Sequence, residues 1–310
     1  MLRIFKTVDD RLFELDAFEE NAWIHLQDPT DEELARVSEE LGIELDFLKA
    51  ATDEEERAHM DWEDGQTLIL VDMPMVDDEG SAFNYTTLPL GIVHTDKYIV
   101  TVSMQETTVI EDFMEERVRG FYTFKKTRFI LQLLYKISVK YLQYLRQIDK
   151  VSAHLQAELY KSQKNRELLQ MMQLEKSLVY FATSLVANES VMERMMRTDA
   201  VKKYSEDAEL LEDVIVENKQ AIEMCTIYRD ILSGTMDAYA SVISNNLNMV
   251  MKFLAAATII ISIPTLIASL WGMNVNVPFG GSAAGFWLVL GLAVAAAGIT
   301  VWLLWKKKML

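Results

Sequence analysis

The sequence predicts an α/β domain followed by long helices and two C-terminal transmembrane helices. Three observations carry this fold class. Short strand-like runs alternate with capped helices over residues 1–105. Apolar residues then recur at helical spacing through a stretch free of proline. Finally, residues 253–305 contain no Asp, Glu, Lys, Arg or His, although the 310-residue chain carries a formal net charge of −17. The expected division is an α/β domain over 1–120, long helices over 121–248 and a membrane hairpin with a basic tail over 249–308.

In the first region "LRIFKTV", "NAWIHL", "TLILVDMPMV", "TLPLGIVHT" and "KYIVTVSM" read as strands, rich in β-branched and aromatic residues. Thr30 precedes "DEE", so Glu33 stands at the capping-box position of a helix over 31–42. "GIELDFLKAATD" reads as a second, short helix. Between Thr107 and Arg197 there is no proline, and Gly120 is the one glycine. Within it Leu131, Leu134, Ile137, Tyr141 and Leu145 share a helical face. A further helix starts near Tyr204 and meets no stop before Gly272, a length of about 100 Å at helical rise. Such a helix needs partners, from the preceding helices or from copies of itself. Cys225, the single cysteine, reads as a small packing residue.

The uncharged segment holds two spans, 249–271 and 285–305, each long enough for the roughly 20 residues that one crossing takes. Pro278, Gly280, Gly281 and Ser282 mark the turn between them, and Pro264 is expected to bend the first span or readjust its hydrogen bonds. The N-terminus has no apolar signal segment, and Lys252 and "KKK" at 306–308 flank the spans on one side. The expected topology is therefore multi-pass in the cell membrane with both termini cytoplasmic.

The first span is polar on one side. Ser244, Asn248, Met251, Ala255, Thr258, Ser262, Thr265, Ser269 and Gly272 follow one another at steps of three and four. Small polar residues in this pattern serve close helix packing or line water. One helix encloses no channel, so the pore reading requires several copies of the chain. Met251 and Leu254 would narrow such a pore at the cytoplasmic end. Asn274 lies 26 residues beyond Asn248, near seven turns, and would present its amide oxygen at the outer mouth. Gly272 permits close backbone approach there, and Met273 is expected to anchor the turn by packing. The acidic run Glu206, Asp207, Glu209, Glu212, Asp213, Glu217 reads as a solvated face or as carboxylate ligands for magnesium.

"GMN" at 272–274, ending the first of two C-terminal spans, resembles the signature of the CorA family of magnesium transporters. "YRDILSGTMDAYASVISNNLNMVMKFL" and the "WKKKML" tail are similar to that family as well. The resemblance implies a homopentamer with an α/β cytoplasmic funnel, long stalk helices and an α-helical membrane channel. It implies that Gly272, Met273 and Asn274 form the selectivity motif. Asn248, Met251 and Leu254, with Thr258, Ser262, Thr265 and Ser269, would line or gate the pore. Asp213 would bind regulatory Mg2+ between subunits, with Asp77 or Asp78 as its partner. Mg2+ is thus expected both as cargo and as regulator, with cobalt and nickel as further cargo. Two departures stand out: Trp271 precedes the motif where the family commonly has tyrosine, and the loop "VNVPFGGSAAG" has no acidic residue.

Alternatives remain open at this level. The family has zinc-transporting branches, although His25, His59, His94 and His154 form no evident soft-ligand site. A membrane-anchored sensor or scaffold also fits the long helix. No nucleophile–base pair, cofactor motif or Walker A sequence is present, so neither an enzyme nor an ATP-driven pump is expected. The expected partners are other copies of the chain, divalent cations and the lipid bilayer, and no nucleic acid.

Overall fold

A computed structural model describes residues 1–76, 84–162, 165–197, 205–275 and 282–307. The chain divides into two units, Met1–Gly234 and Thr235–Leu310.

The first unit is built on a seven-stranded sheet of order β2-β1-β3-β7-β6-β5-β4. Its strands are β1 (Leu2–Val8), β2 (Arg11–Leu15), β3 (Trp23–Gln27), β4 (His59–Glu63), β5 (Gln66–Val76), β6 (Tyr85–His94) and β7 (Ile99–Ser103). Among the described residues the β3–β7 pairing is the parallel one, and the other pairings are antiparallel. The five expected strands are the five inner ones. The two that the sequence pattern missed, β2 and β4, are the edges. Their side chains are largely exposed, so no apolar alternation marks them.

One sheet face carries an aliphatic core. Ile4, Ile24, Leu26, Leu70, Val93, Val100 and Val102 pack there with Leu34 and Val37 of α1 (Asp31–Leu41) and Phe47 and Leu48 of α2 (Leu45–Lys49). The α1 cap forms as expected: Glu33 N donates to Thr30 Oγ1 at 3.2 Å, and Thr30 N donates to Glu33 Oε2 at 3.1 Å. A 3-10 turn, Ala50–Thr52, crosses β6 so closely that a Cβ at Gly91 would lie 2.7 Å from the Ala51 Cβ.

The other face carries aromatic rings. Trp23 meets Phe5 at 5.0 Å, Phe129 at 5.0 Å and Phe121 at 5.8 Å, mostly edge to face. Phe113 joins them from α3 (Thr108–Met114). Further along, α4 (Lys126–Ser162) and α5 (Asn165–Arg197) pack on each other and on the sheet. The expected face of α4 is the buried one: Leu131, Leu134, Ile137, Tyr141 and Leu145 are all fully buried.

The next helix, α6 (Ser205–Trp271), begins in this unit and continues into the second. Its first part buries Leu211, Val214, Ala221, Cys225 and Leu232. Asn218 Nδ2 donates to Leu185 O at 3.0 Å and Cys225 Sγ to Leu178 O at 3.1 Å, which fastens this part to α5. Burial pushes the Cys225 thiol up to about 11, as befits the expected packing residue.

In the second unit α6 runs unbroken through Pro264 and is followed by α7 (Ala283–Lys306). Ser282 caps α7 by accepting from Gly285 N at 3.1 Å. Both helices are long and apolar enough to cross a membrane. The expected turn residues Pro278, Gly280 and Gly281 lie outside the described residues.

Candidate functional site

The polar stripe of α6 is solvent-facing within one chain. Ser244, Asn248, Met251, Ala255, Thr258, Ser262, Thr265, Ser269 and Gly272 are all exposed, as is Leu254 beside them. The covered face of the same helix holds other residues. Ala256 is buried, and Ala257, Ile260, Ile263, Pro264, Ile267 and Trp271 are half-buried. At 3.6 residues per turn these two sets stand roughly half a turn apart. On α7 the covered set is Gly285, Ala293 and Leu304, with Val289, Ala296, Ala297 and Thr300 half-buried. Small residues dominate the covered face of α7, a composition that lets membrane helices approach closely, whereas isoleucines make up much of the covered face of α6. The stripe thus lies within the part of α6 left uncovered by helix packing, between exposed apolar residues such as Ile259, Ile261, Leu266 and Leu270, and packing within one chain does not account for it.

The stripe hydroxyls have a defined polarity. Thr258 Oγ1 donates to Leu254 O at 2.8 Å, and Thr265 Oγ1 donates to Ile261 O at 2.8 Å. Each proton is spent on the helix itself, so what remains outward is the oxygen lone pairs. Oxygen acceptors suit a cation and its water shell. Pro264 removes the donor that would reach Ile260 O, and the helix continues through it; the Thr265 hydroxyl bonds the next carbonyl, Ile261 O, and does not replace that donor.

At its end α6 departs from the expected geometry. The helix stops at Trp271; Gly272 N still reaches Ala268 O at 2.9 Å, and Val275 N then closes a turn on Met273 O at 2.8 Å. Asn274 therefore lies beyond the last helical residue, and the seven-turn projection from Asn248 does not fix its direction. Asn274 is exposed. Met273 is 54% exposed, so the packing role expected for it is not met within one chain. Gly272 is tight: a Cβ there would lie 3.3 Å from Ala268 O.

The acidic run on α6 is not one solvated face. Glu206, Glu209, Glu212 and Asp213 are exposed, Glu206 pairing with Arg128 at 3.0 Å, whereas Glu217 is half-buried and Asp207 is buried. Burial raises the Asp207 carboxyl against the opposing pull of Arg128. Among the described residues no three His, Cys, Asp or Glu side chains gather closely enough to hold a metal. Among the described residues Asp213 thus stands as a single carboxylate. The expected partners Asp77 and Asp78 lie outside the described residues.

Sequence reading missed a polar cluster between sheet and helices. Buried Asn188 of α5 brackets Asp72 of β5: its Oδ1 accepts from Asp72 N at 2.8 Å and its Nδ2 donates to Asp72 O at 2.8 Å. Tyr141 Oη donates to the same carbonyl at 3.1 Å, and Ser184 Oγ donates to Thr87 Oγ1 at 3.0 Å. Burial raises the Asp72 carboxyl, a rise partly offset by the neighbouring Ser184 hydroxyl. The available signal was Asp72 itself, a charge inside the apolar run "LILVDMPMV".

Comparison with known proteins agrees with this architecture. The family model described as CorA-like Mg2+ transporter protein matches residues 18–308. The cobalt/magnesium transport protein CorA of Methanocaldococcus jannaschii is 29% identical over 291 residues, covering 91% of this chain and 89% of that protein. The protein of the same name from Thermotoga maritima is 25% identical over 280 residues, covering 89% of this chain and 79% of its own length. The complete structure of the CorA magnesium transporter from M. jannaschii superposes with a TM-score of 0.86 at 26% identity, covering 98% of this chain and 96% of that one. The full-length CmaX protein shares the fold, with a TM-score of 0.71 at 16% identity, over 99% of this chain and 96% of that one. An α/β domain, long helices and two apolar C-terminal helices, matched over nearly the whole length, place this chain in the CorA-like Mg2+ transporter family.

Proposed function

We propose that this chain is the subunit of a channel that lets magnesium, and also cobalt and nickel, cross the cytoplasmic membrane. The carrying observation is the α6 stripe: a row of hydroxyl and amide oxygens left exposed on the side opposite the covered face. Family membership and the cobalt/magnesium naming of the relatives support the choice of cargo. Copies of the chain bring their stripes around one axis, and a homopentamer is the assembly that the family resemblance favours. Asn248, Met251, Leu254, Thr258, Ser262, Thr265 and Ser269 line or gate the path. Gly272, Met273 and Asn274 form its selective outer mouth, where Asn274 amide oxygens meet the hydrated ion. Both termini lie in the cytoplasm, consistent with Lys252 and the basic tail. Internal Mg2+ bridging Asp213 to Asp77 or Asp78 of a neighbouring copy holds the channel closed.

Ion uptake into proteoliposomes tests the reading. Magnesium entry driven by an inside-negative potential is the expected result. Zinc uptake without magnesium uptake overturns the cargo, and no uptake of either overturns the channel.

A further inference from the structure

Among the described residues the sheet ends in β2 on one side and β4 on the other. Strand register shows which backbone groups of these edges face outward. Each edge strand belongs to a hairpin turned by two residues at positive φ: Asp9 and Asp10 (49° and 61°) for β2, Asp64 and Gly65 (46° and 82°) for β4. In such a hairpin the residues flanking the turn bond to each other, here Val8 with Arg11 and Glu63 with Gln66. The next pair does not, so its backbone groups turn away from the partner strand. On β2 the outward residues are therefore Leu12 and Glu14, and on β4 they are Trp62 and Met60. Thr7, opposite Leu12, obeys the same rule: its N–H leaves the hairpin and donates to Thr123 Oγ1 at 3.0 Å.

A row of outward donors and acceptors is a template for another strand. Here the row is interrupted on both edges. Leu12 N donates to Glu116 Oε1 at 2.5 Å. Arg194 Nη1 donates to Met60 O at 2.5 Å, and Trp62 N donates to Asp61 Oδ1 at 2.9 Å. Each side chain matches its target, since a carboxylate takes the outward donor and a guanidinium the outward acceptor. Glu116 follows α3 and Arg194 belongs to α5, so neither comes from the strand it covers.

These contacts are not by-products of core packing, for Glu116 and Arg194 are both exposed. Glu116 holds φ at 56°, a left-handed conformation that is unfavourable for glutamate. Arg194 also lies over the Trp62 ring, its Cζ 4.8 Å from the centroid, which keeps the guanidinium along the edge. Both edges would otherwise fit themselves. Two copies of β4 set antiparallel about Asp61 bring Met60 against Trp62 and His59 against Glu63, with the facing Asp61 carboxylates opposing. Two copies of β2 set about Phe13 bring two exposed rings together.

We propose that Glu116 and Arg194 close the sheet against strand addition, and that the strand they exclude is the same edge of a second copy of this chain. Closure leaves association between copies to surfaces other than the sheet. It is independent of the cargo and the path proposed above.

Light scattering and hydrogen–deuterium exchange on the full-length protein in detergent test this over a wide range of concentration. The wild-type protein is expected to keep one assembly size. E116G, R194A and above all the double variant are expected to form species that grow with concentration. Glycine suits the positive φ at 116 and alanine suits the helix at 194, so the subunit keeps its fold. In the larger species exchange is expected to slow about tenfold over residues 10–16 or 58–64. In dilute E116G the Leu12 amide is expected to exchange about ten- to a hundredfold faster, as loss of a bond to a charged group would give. E116Q keeps an acceptor oxygen and is expected to match wild type in size and exchange. A double variant that stays at one size overturns the closure. Growth of E116Q equal to that of E116G overturns it too, because charge alone would then be the cause. Growth without slowed exchange over 10–16 or 58–64 overturns the edge as the contact. Should the double variant not assemble, R194A alone decides by the same two readouts.

Discussion

Replacing stripe threonines by valine removes the outward oxygen and keeps the shape. In T258V and T265V the lost groups are hydroxyls whose oxygens lie 2.8 Å from Leu254 O and Ile261 O, to which they donate. On the proposed pore reading, their lone pairs are the part offered to a passing hydrated ion. One neutral hydrogen bond is worth about 0.5–1.5 kcal/mol. If one such bond per ion is lost where the barrier is highest, flux falls about two- to twelvefold, since 1.4 kcal/mol is a factor of ten. The control has the same chemistry on another surface. Thr300 of α7 also donates to its own helix, to Ala296 O at 2.8 Å, but it belongs to the covered face. T300V is therefore expected to conduct like the wild-type protein. The assay is initial magnesium uptake into proteoliposomes at matched protein density, with assembly size checked for each variant. Equal losses in T265V and T300V would mean that the effect is one of helix packing. Full flux in both T258V and T265V would refute the stripe as the ion path.

Asn274→Ala is expected to cut flux roughly tenfold or more, as losing ~1.4 kcal/mol of ion stabilisation would, without altering assembly size; unchanged uptake removes the amide from the mouth. Asp213→Ala is expected to weaken inhibition by internal magnesium, and Asp213→Lys to imitate the bound charge and favour closure. If both retain the wild-type dependence on internal magnesium, Asp213 is no sensor. Asp72→Asn tests the buried cluster through pH. Burial places the folded-state pKa of Asp72 above its ordinary value, so ionisation opposes folding at neutral pH, and this opposition fades as pH falls. The asparagine variant should unfold at a higher temperature than wild type at neutral pH, with the gap closing toward acid. A gap that widens on acidification contradicts this sign.

Legibility in the sequence followed burial. Inner strands and the α4 face were readable because each presents one apolar side, from "TLILVDMPMV" to Leu131, Leu134, Ile137, Tyr141 and Leu145. Edge strands were not: β4 reads "HMDWE", with Trp62 61% exposed, and only its pairing to β5 makes it a strand. The short α3 and the division between α4 and α5 also escaped notice, for no glycine or proline lies at 163–164. In the site, the stripe was legible because helical period alone defines it. The direction of Asn274 was not, because period loses meaning once the helix ends at Trp271.

The division of α6 into a covered face and an exposed oxygen-bearing face has a consequence for inheritance. Each chain offers one such face, so an assembly that closes a path from several copies repeats every α6 substitution once per copy. When altered and unaltered chains are made together at equal levels, most assemblies are mixed, and the narrowest ring then contains at least one defect. Substitutions on the stripe should therefore behave as dominant at the level of the cell. Those on the outward apolar side of α7, such as Leu288 or Val294, should pass unnoticed in one dose.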